Sequence, residues 1–129
     1  MAITRSGTTI RFFINGAVAG TGTTSFNYSA SPASRYVGPQ GGGSTPAYIS
    51  NFRIVKGQAL YTAAFTPSTT PLTVVANTSL LTCQTNRFIN NSFNRYTITP
   101  TGTPTVQKFG PFPGTTLPAP AYSVYFNGT

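Results

Sequence analysis

The chain has 129 residues, enough for one domain with its own core, and its composition is lopsided: 13 Gly, 11 Pro, no Trp, no His and not one Asp or Glu, for a formal net charge of +8. The missing carboxylates and imidazoles are the groups on which general acid–base catalysis, paired-carboxylate glycoside hydrolysis and most calcium and zinc sites depend. The chain therefore reads as a non-enzyme, with no catalytic residue, no metal ligand and no cofactor.

Strong helix formers are scarce, while β-branched and aromatic residues are common, so the class is all-β, with strands joined by turns. Residues 1–16, MAITRSGTTIRFFING, predict a hairpin turning at Ser6-Gly7, with a second tight turn at Asn15-Gly16. Ile10, Phe12 and Ile14 alternate with Arg11, Phe13 and Asn15, giving one apolar and one mixed face. Residues 17–34 are small and polar, RYVG (35–38) reads as a short strand, and PQGGGSTP (39–46) as a loop.

YISNFRIV, residues 48–55, reads as one strand with Tyr48, Phe52 and Ile54 on the core face and Asn51 and Arg53 outside. After Gly57, Leu60, Tyr61 and Phe65 are spaced too irregularly for a helix, and Pro67 and Pro71 would stop one. This segment is expected to strap across the strands, pinned by its aromatics. TSLLTCQ and RFINNS read as short strands around a turn, and residues 95–112 as a β pair joined through Thr101-Gly102-Thr103. The Pro-rich stretch 113–121 is an extended linker, and YSVYFNGT, residues 122–129, is a final strand.

Cys83, alone and inside an apolar run, reads as a buried inert thiol. The positives, Arg5, Arg11, Arg35, Arg53, Lys56, Arg87, Arg95 and Lys108, are scattered, with no basic block and no nucleic-acid motif, so nucleic acid is not an expected partner. No apolar run approaches the roughly 18 residues of a membrane span, and the opening residues do not read as a signal peptide.

The ordered segments RSGTTIRFFINGAVAGT, YISNFRIVKGQALYTAAFTP, SLLTCQTNRFINNSFNRYTITPTG and FGPF resemble the laminin G-like, concanavalin A-like jelly-roll domains found in bacteriophage structural proteins and large bacterial surface proteins. The resemblance runs over most of residues 2–112. It implies a two-sheet antiparallel β-sandwich, often glycan-binding, often carried on a virion or cell surface. The order departs from that family, since a strand like YSVYFNGT would open such a domain. The implied organisation is a sandwich over 1–112, the linker 113–121, and a terminal strand 122–129 that completes its own sandwich or, exchanged between subunits, a neighbour's; the domain is then incomplete or permuted. RFINNS and YFNGT carry Asn where such a family would favour Asp, so no metal site or catalytic carboxylate carries over.

These readings converge on a virion structural protein, a capsid decoration or tail appendage, that adheres to host-surface polysaccharide and associates with copies of itself or other virion proteins. Sugar sites use flat aromatic faces beside amide and hydroxyl groups, which makes Tyr28, Tyr36, Asn90, Asn91 and Arg95 the candidate glycan contacts. Tyr122, Val124, Tyr125 and Phe126 form the candidate assembly strand. Two alternatives stand beside this one: a subunit of an extracellular bacterial filament or surface layer built by strand exchange, and a carbohydrate-binding module of a larger enzyme.

Overall fold

A computed structural model describes residues 1–26, 36–38, 46–112 and 122–126. Among the described residues there are eight strands and no helix: β1 (Ala2–Ser6), β2 (Thr9–Ile14), β3 (Ala17–Thr23), β4 (Ala47–Ile49), β5 (Phe52–Val55), β6 (Thr78–Thr82), β7 (Thr105–Gln107) and β8 (Ser123–Phe126). They pair antiparallel into three small sheets, ordered β1-β2-β3, β5-β6 and β4-β8-β7. The protein is all-β, as composition requires, but these strands are not grouped into the two broad sheets expected of a jelly roll. No helix of the described residues is long and apolar enough to cross a membrane.

Turn chemistry builds the first sheet. Ser6 faces Thr9, so the loop is Gly7-Thr8, one residue later than the sequence suggests, with Gly7 at φ +59. At the next corner Asn15 and Gly16 both have positive φ, +50 and +80, the signature of a type I′ hairpin turn. That turn folds Ala17–Thr23 back onto β2. β3 is not expected from its sequence, AVAGTGT, which is poor in strand formers; tertiary pairing overrides propensity here.

The covered face of this sheet is the mixed one. Phe13 is fully buried, whereas Ile3, Phe12 and Ile14, on the apolar face, are 60%, 45% and 60% exposed. A strap over residues 58–75 explains the inversion. Tyr61 and Phe65 stack, ring centroids 3.6 Å apart and nearly coplanar, and both meet Phe13 edge-on at 6.3 and 5.4 Å. Thr4 Oγ1 donates to Tyr61 O at 2.7 Å, and Phe65 N donates to Gly16 O at 3.0 Å. The mixed face carries a cost, since Arg11 Nη1 is buried without a hydrogen-bond partner among the described residues.

The same segment then crosses to the second sheet. YISNFRIV is two strands rather than one, broken where Asn51 takes a left-handed conformation at φ +55. Asn51 secures the break: its backbone N donates to Cys83 O, and its Oδ1 accepts from Leu72 N at 2.9 Å and Gln84 Nε2 at 3.0 Å. Arg53 lies opposite buried Leu81 and donates through Nη1 to Thr73 O at 2.9 Å. Of the residues expected on the core face of β5, Phe52 is half-buried but Ile54 is exposed, while Arg53 is half-buried beside the strap.

β8 occupies the centre of the third sheet, Val124 facing Ile49 on one side and Val106 on the other. Val124 is buried along with Leu81 and Cys83. RFINNS and residues 95–100 form no strand, so of the expected β pair over 95–112 only β7 is present. Residues 36–38 of the expected strand RYVG are not strand either. The linker 113–121 lies outside the described residues, as do 127–129 of the terminal strand.

The two hairpin glycines should respond differently to a methyl group. A Cβ on Gly16 would lie 1.9 Å from Phe65 O and break the strap's seat, while a Cβ on Gly7 meets nothing within 4 Å. Gly16→Ala is expected to lower the unfolding free energy in urea by roughly 2–4 kcal/mol and Gly7→Ala by about 1 kcal/mol. Equal losses would show that the Gly16–Phe65 contact does not hold the strap.

Candidate functional site

The site begins where β6 ends. Cys83, buried and at φ +59, turns the chain out of the strand, and residues 84–98 return alongside β6 as a loop. Burial pushes the Cys83 thiol above its ordinary value, an effect that a hydrogen bond with Thr82 only partly offsets. A protonated, covered thiol is a poor nucleophile, so Cys83 contributes packing rather than chemistry.

Asn90 holds the returning loop. Its Oδ1 accepts from Leu81 N at 3.1 Å and Ser92 N at 3.0 Å, and its Nδ2 donates to Ser79 O at 3.3 Å. Ser92 Oγ donates to the same Ser79 O at 3.0 Å, and Asn91 N donates to Leu81 O at 2.7 Å. The Asn90 side chain thus replaces the backbone of a neighbouring strand, which is why a strand-like sequence forms none. Both polar ends of that buried amide are used within the chain, so Asn90 shapes the site.

Beyond Asn90 the loop opens into a shallow depression of about 900 Å³ lined by residues 88–93 and 95–98. Asn90, Asn91 and Arg95 all line it. Asn91 is half-buried with Nδ2 near Gln84 Oε1 at 3.4 Å. Arg95 sits at φ +47, its backbone N donating to Ser92 O, and its exposed guanidinium makes no hydrogen bond among the described residues. Tyr36 is exposed in a different segment and does not line this depression, and Tyr28 lies outside the described residues.

Four further residues complete the surface, and their grouping here was not apparent from the sequence. Phe93 is 81% exposed and stands between this depression and a second one, of about 350 Å³, that also includes Lys56 and Asn94. Tyr96 is 66% exposed in the first depression. The available signal was the segment NNSFNRYT, where aromatics alternate with amides and a cation without strand periodicity. The arrangement is an open aromatic ridge with a cation in the hollow on either side. It offers stacking faces and hydrogen-bond donors.

The proposed assembly residues are engaged within their own chain. Tyr122 O accepts from Ser50 Oγ at 2.6 Å, Tyr125 packs against Tyr48 with ring centroids 4.8 Å apart, and Phe126 lies against Gly38, where a Cβ would come within 2.6 Å of its ring. Tyr48 also packs against Phe109 at 4.9 Å.

No protein-family model, curated protein or solved structure matches this chain.

Adjacent amides should be separable by charge. Asn90→Asp removes the donor to Ser79 O and sets a carboxylate against that carbonyl, while Asn91→Asp changes a half-buried position. Chemical denaturation is expected to show a loss of about 2–3 kcal/mol for Asn90→Asp and under about 1 kcal/mol for Asn91→Asp. A fully stable Asn90→Asp protein would remove the clamp assignment.

Proposed function

We propose that this chain is a non-enzymatic structural protein of a virion surface, a capsid decoration or tail appendage, whose 88–98 loop adheres to host-surface polysaccharide. The observation that supports the adhesive half is Phe93, at 81% the most exposed ring among the described residues. An exposed ring of this kind suits the apolar face of a pyranose, whose hydroxyls find donors in Arg95, in Lys56 and in the Tyr96 hydroxyl. The shallow, open form fits an extended chain laid across the ridge better than a small molecule enclosed in a pocket. The virion placement rests on the sequence resemblance to jelly-roll domains of phage structural proteins.

The test is retention of the folded protein on a panel of immobilised bacterial surface polysaccharides, with Phe93→Ala beside the wild type. Binding to at least one polysaccharide is expected, weakened by about tenfold or more in Phe93→Ala, equivalent to about 1.4 kcal/mol. Phe93 is exposed, so this variant should unfold like the wild type. Retention by no polysaccharide, or equal retention of the variant, would end the adhesive reading.

The central place of β8 favours a second reading, assembly by strand exchange. A strand that follows the 113–121 linker and pairs on both edges could make the same ladder with β4 and β7 of another copy. Adding a peptide of residues 122–129 to the chain truncated after residue 121 should then restore its sheet content by circular dichroism. Failure of the peptide to bind would dispose of exchange.

A further inference from the structure

We infer that the ridge around Phe93 selects anionic polysaccharide, seating one acidic group of the glycan against Arg95 and another against Lys56. The inference rests on the adhesive reading of the 88–98 loop and deepens it by naming the charge of the ligand.

The cations of this chain are not used alike. Arg5 donates to Gly7 O and Phe26 O, Arg53 donates to Thr73 O, and Arg11 is half-buried with its Nη1 enclosed. Arg95 and Lys56 are exposed, and neither side chain makes a hydrogen bond among the described residues. Lys56 uses only its backbone N, which donates to Asn77 O at 3.1 Å. Arg87 and Lys108 are exposed in the same way but line neither depression. Two of these four uncommitted cations thus flank a single bare ring, Arg95 in the larger hollow and Lys56 in the smaller one.

A glycan laid across Phe93 meets both. A neutral glycan can answer them only with hydroxyls, whereas an acidic one forms charge-assisted bonds, roughly twice as strong as neutral ones. Arg95 presents a planar fork that pairs with two oxygens of one oxyanion, and Lys56 presents a compact point charge. The chain has no Asp or Glu, so no side-chain carboxylate of its own competes for either cation or repels the incoming acid. Single-stranded nucleic acid is anionic too, but such strands track a basic groove on a series of rings on which successive bases stack. Here one ring crowns the ridge between the two cations, which suits a saccharide lying apolar face down.

Binding of the full chain to two matched pairs of polymers tests the inference: polygalacturonate beside its methyl ester, and dextran sulfate beside dextran. Within each pair the backbone is shared and only the charge differs. At about 50 mM salt the acidic member of at least one pair is expected to bind about tenfold or more tighter than its neutral partner, and about 500 mM salt should remove most of that margin. The pair that shows the margin tells a carboxylate ligand from a sulfate. Arg95→Gln and Lys56→Gln should each weaken acidic binding about threefold or more, whereas Lys108→Gln, which removes the same charge elsewhere, should change it by less than about twofold. All three positions are exposed, so these variants should fold as the wild type does. Equal binding of acidic and neutral members, still lost in Phe93→Ala, would overturn the anionic preference and leave adhesion standing. An equal loss in Lys108→Gln would overturn it in favour of net charge alone, and tighter binding of poly(dT) than of either acidic polysaccharide in favour of nucleic acid. Retention of none of the four polymers would also overturn it, and the bacterial panel alone then decides the adhesive reading.

Discussion

The stacked pair Tyr61–Phe65, seated edge-on against Phe13, is the contact on which the arrangement of this small β protein depends. It joins the strap to the first sheet, and within a few residues the same strap engages Asn51, Gln84 and Arg53 around the second. Sheets this small have little apolar surface to bury, and a lone two-stranded pair such as β5-β6 is marginal in water. Aromatic rings carry much of the buried area of any small core, and here they lie in a segment without regular structure. The strap is the common wall against which both sheets close.

This explains which parts of the fold were legible in the sequence. Turn chemistry is local, so Asn15-Gly16 could be read as a hairpin corner, and β6 and β8 follow from short apolar runs bounded by breakers. The faces were not legible. Alternation establishes which residues share a side of a strand, but the covered side is decided by whatever packs there, and for β2 that partner is more than fifty positions away, as the Phe13–Phe65 contact shows. The strap chose the side bearing Arg11 and Phe13. Similarly, nothing in the run YISNFRIV marks a break except Asn51, whose short amide tolerates the left-handed region and holds the strap once there.

The candidate site shows the same division. Asn90, Asn91 and Arg95 were singled out from the sequence, and the structure brings them to one depression, but with unlike duties. Asn90 stands in for a strand backbone, and Phe93, flanked by amides and invisible to any periodicity argument, becomes the most exposed ring of the loop. A residue type suited to sugar binding does not reveal whether its hydrogen bonds are already taken. Only the partners of the Asn90 amide decide that.

The anchoring of the arginines reaches beyond local packing. Arg5 and Arg53 direct their guanidinium groups to main-chain carbonyls, and no side-chain carboxylate exists to receive them. Acid denaturation works chiefly by protonating carboxylates that are paired in the native state. A carbonyl does not titrate, so these ties persist unchanged into strongly acidic solution. The side chains keep a nearly constant positive charge over the same range, so acid finds no paired side-chain carboxylate to protonate in this fold.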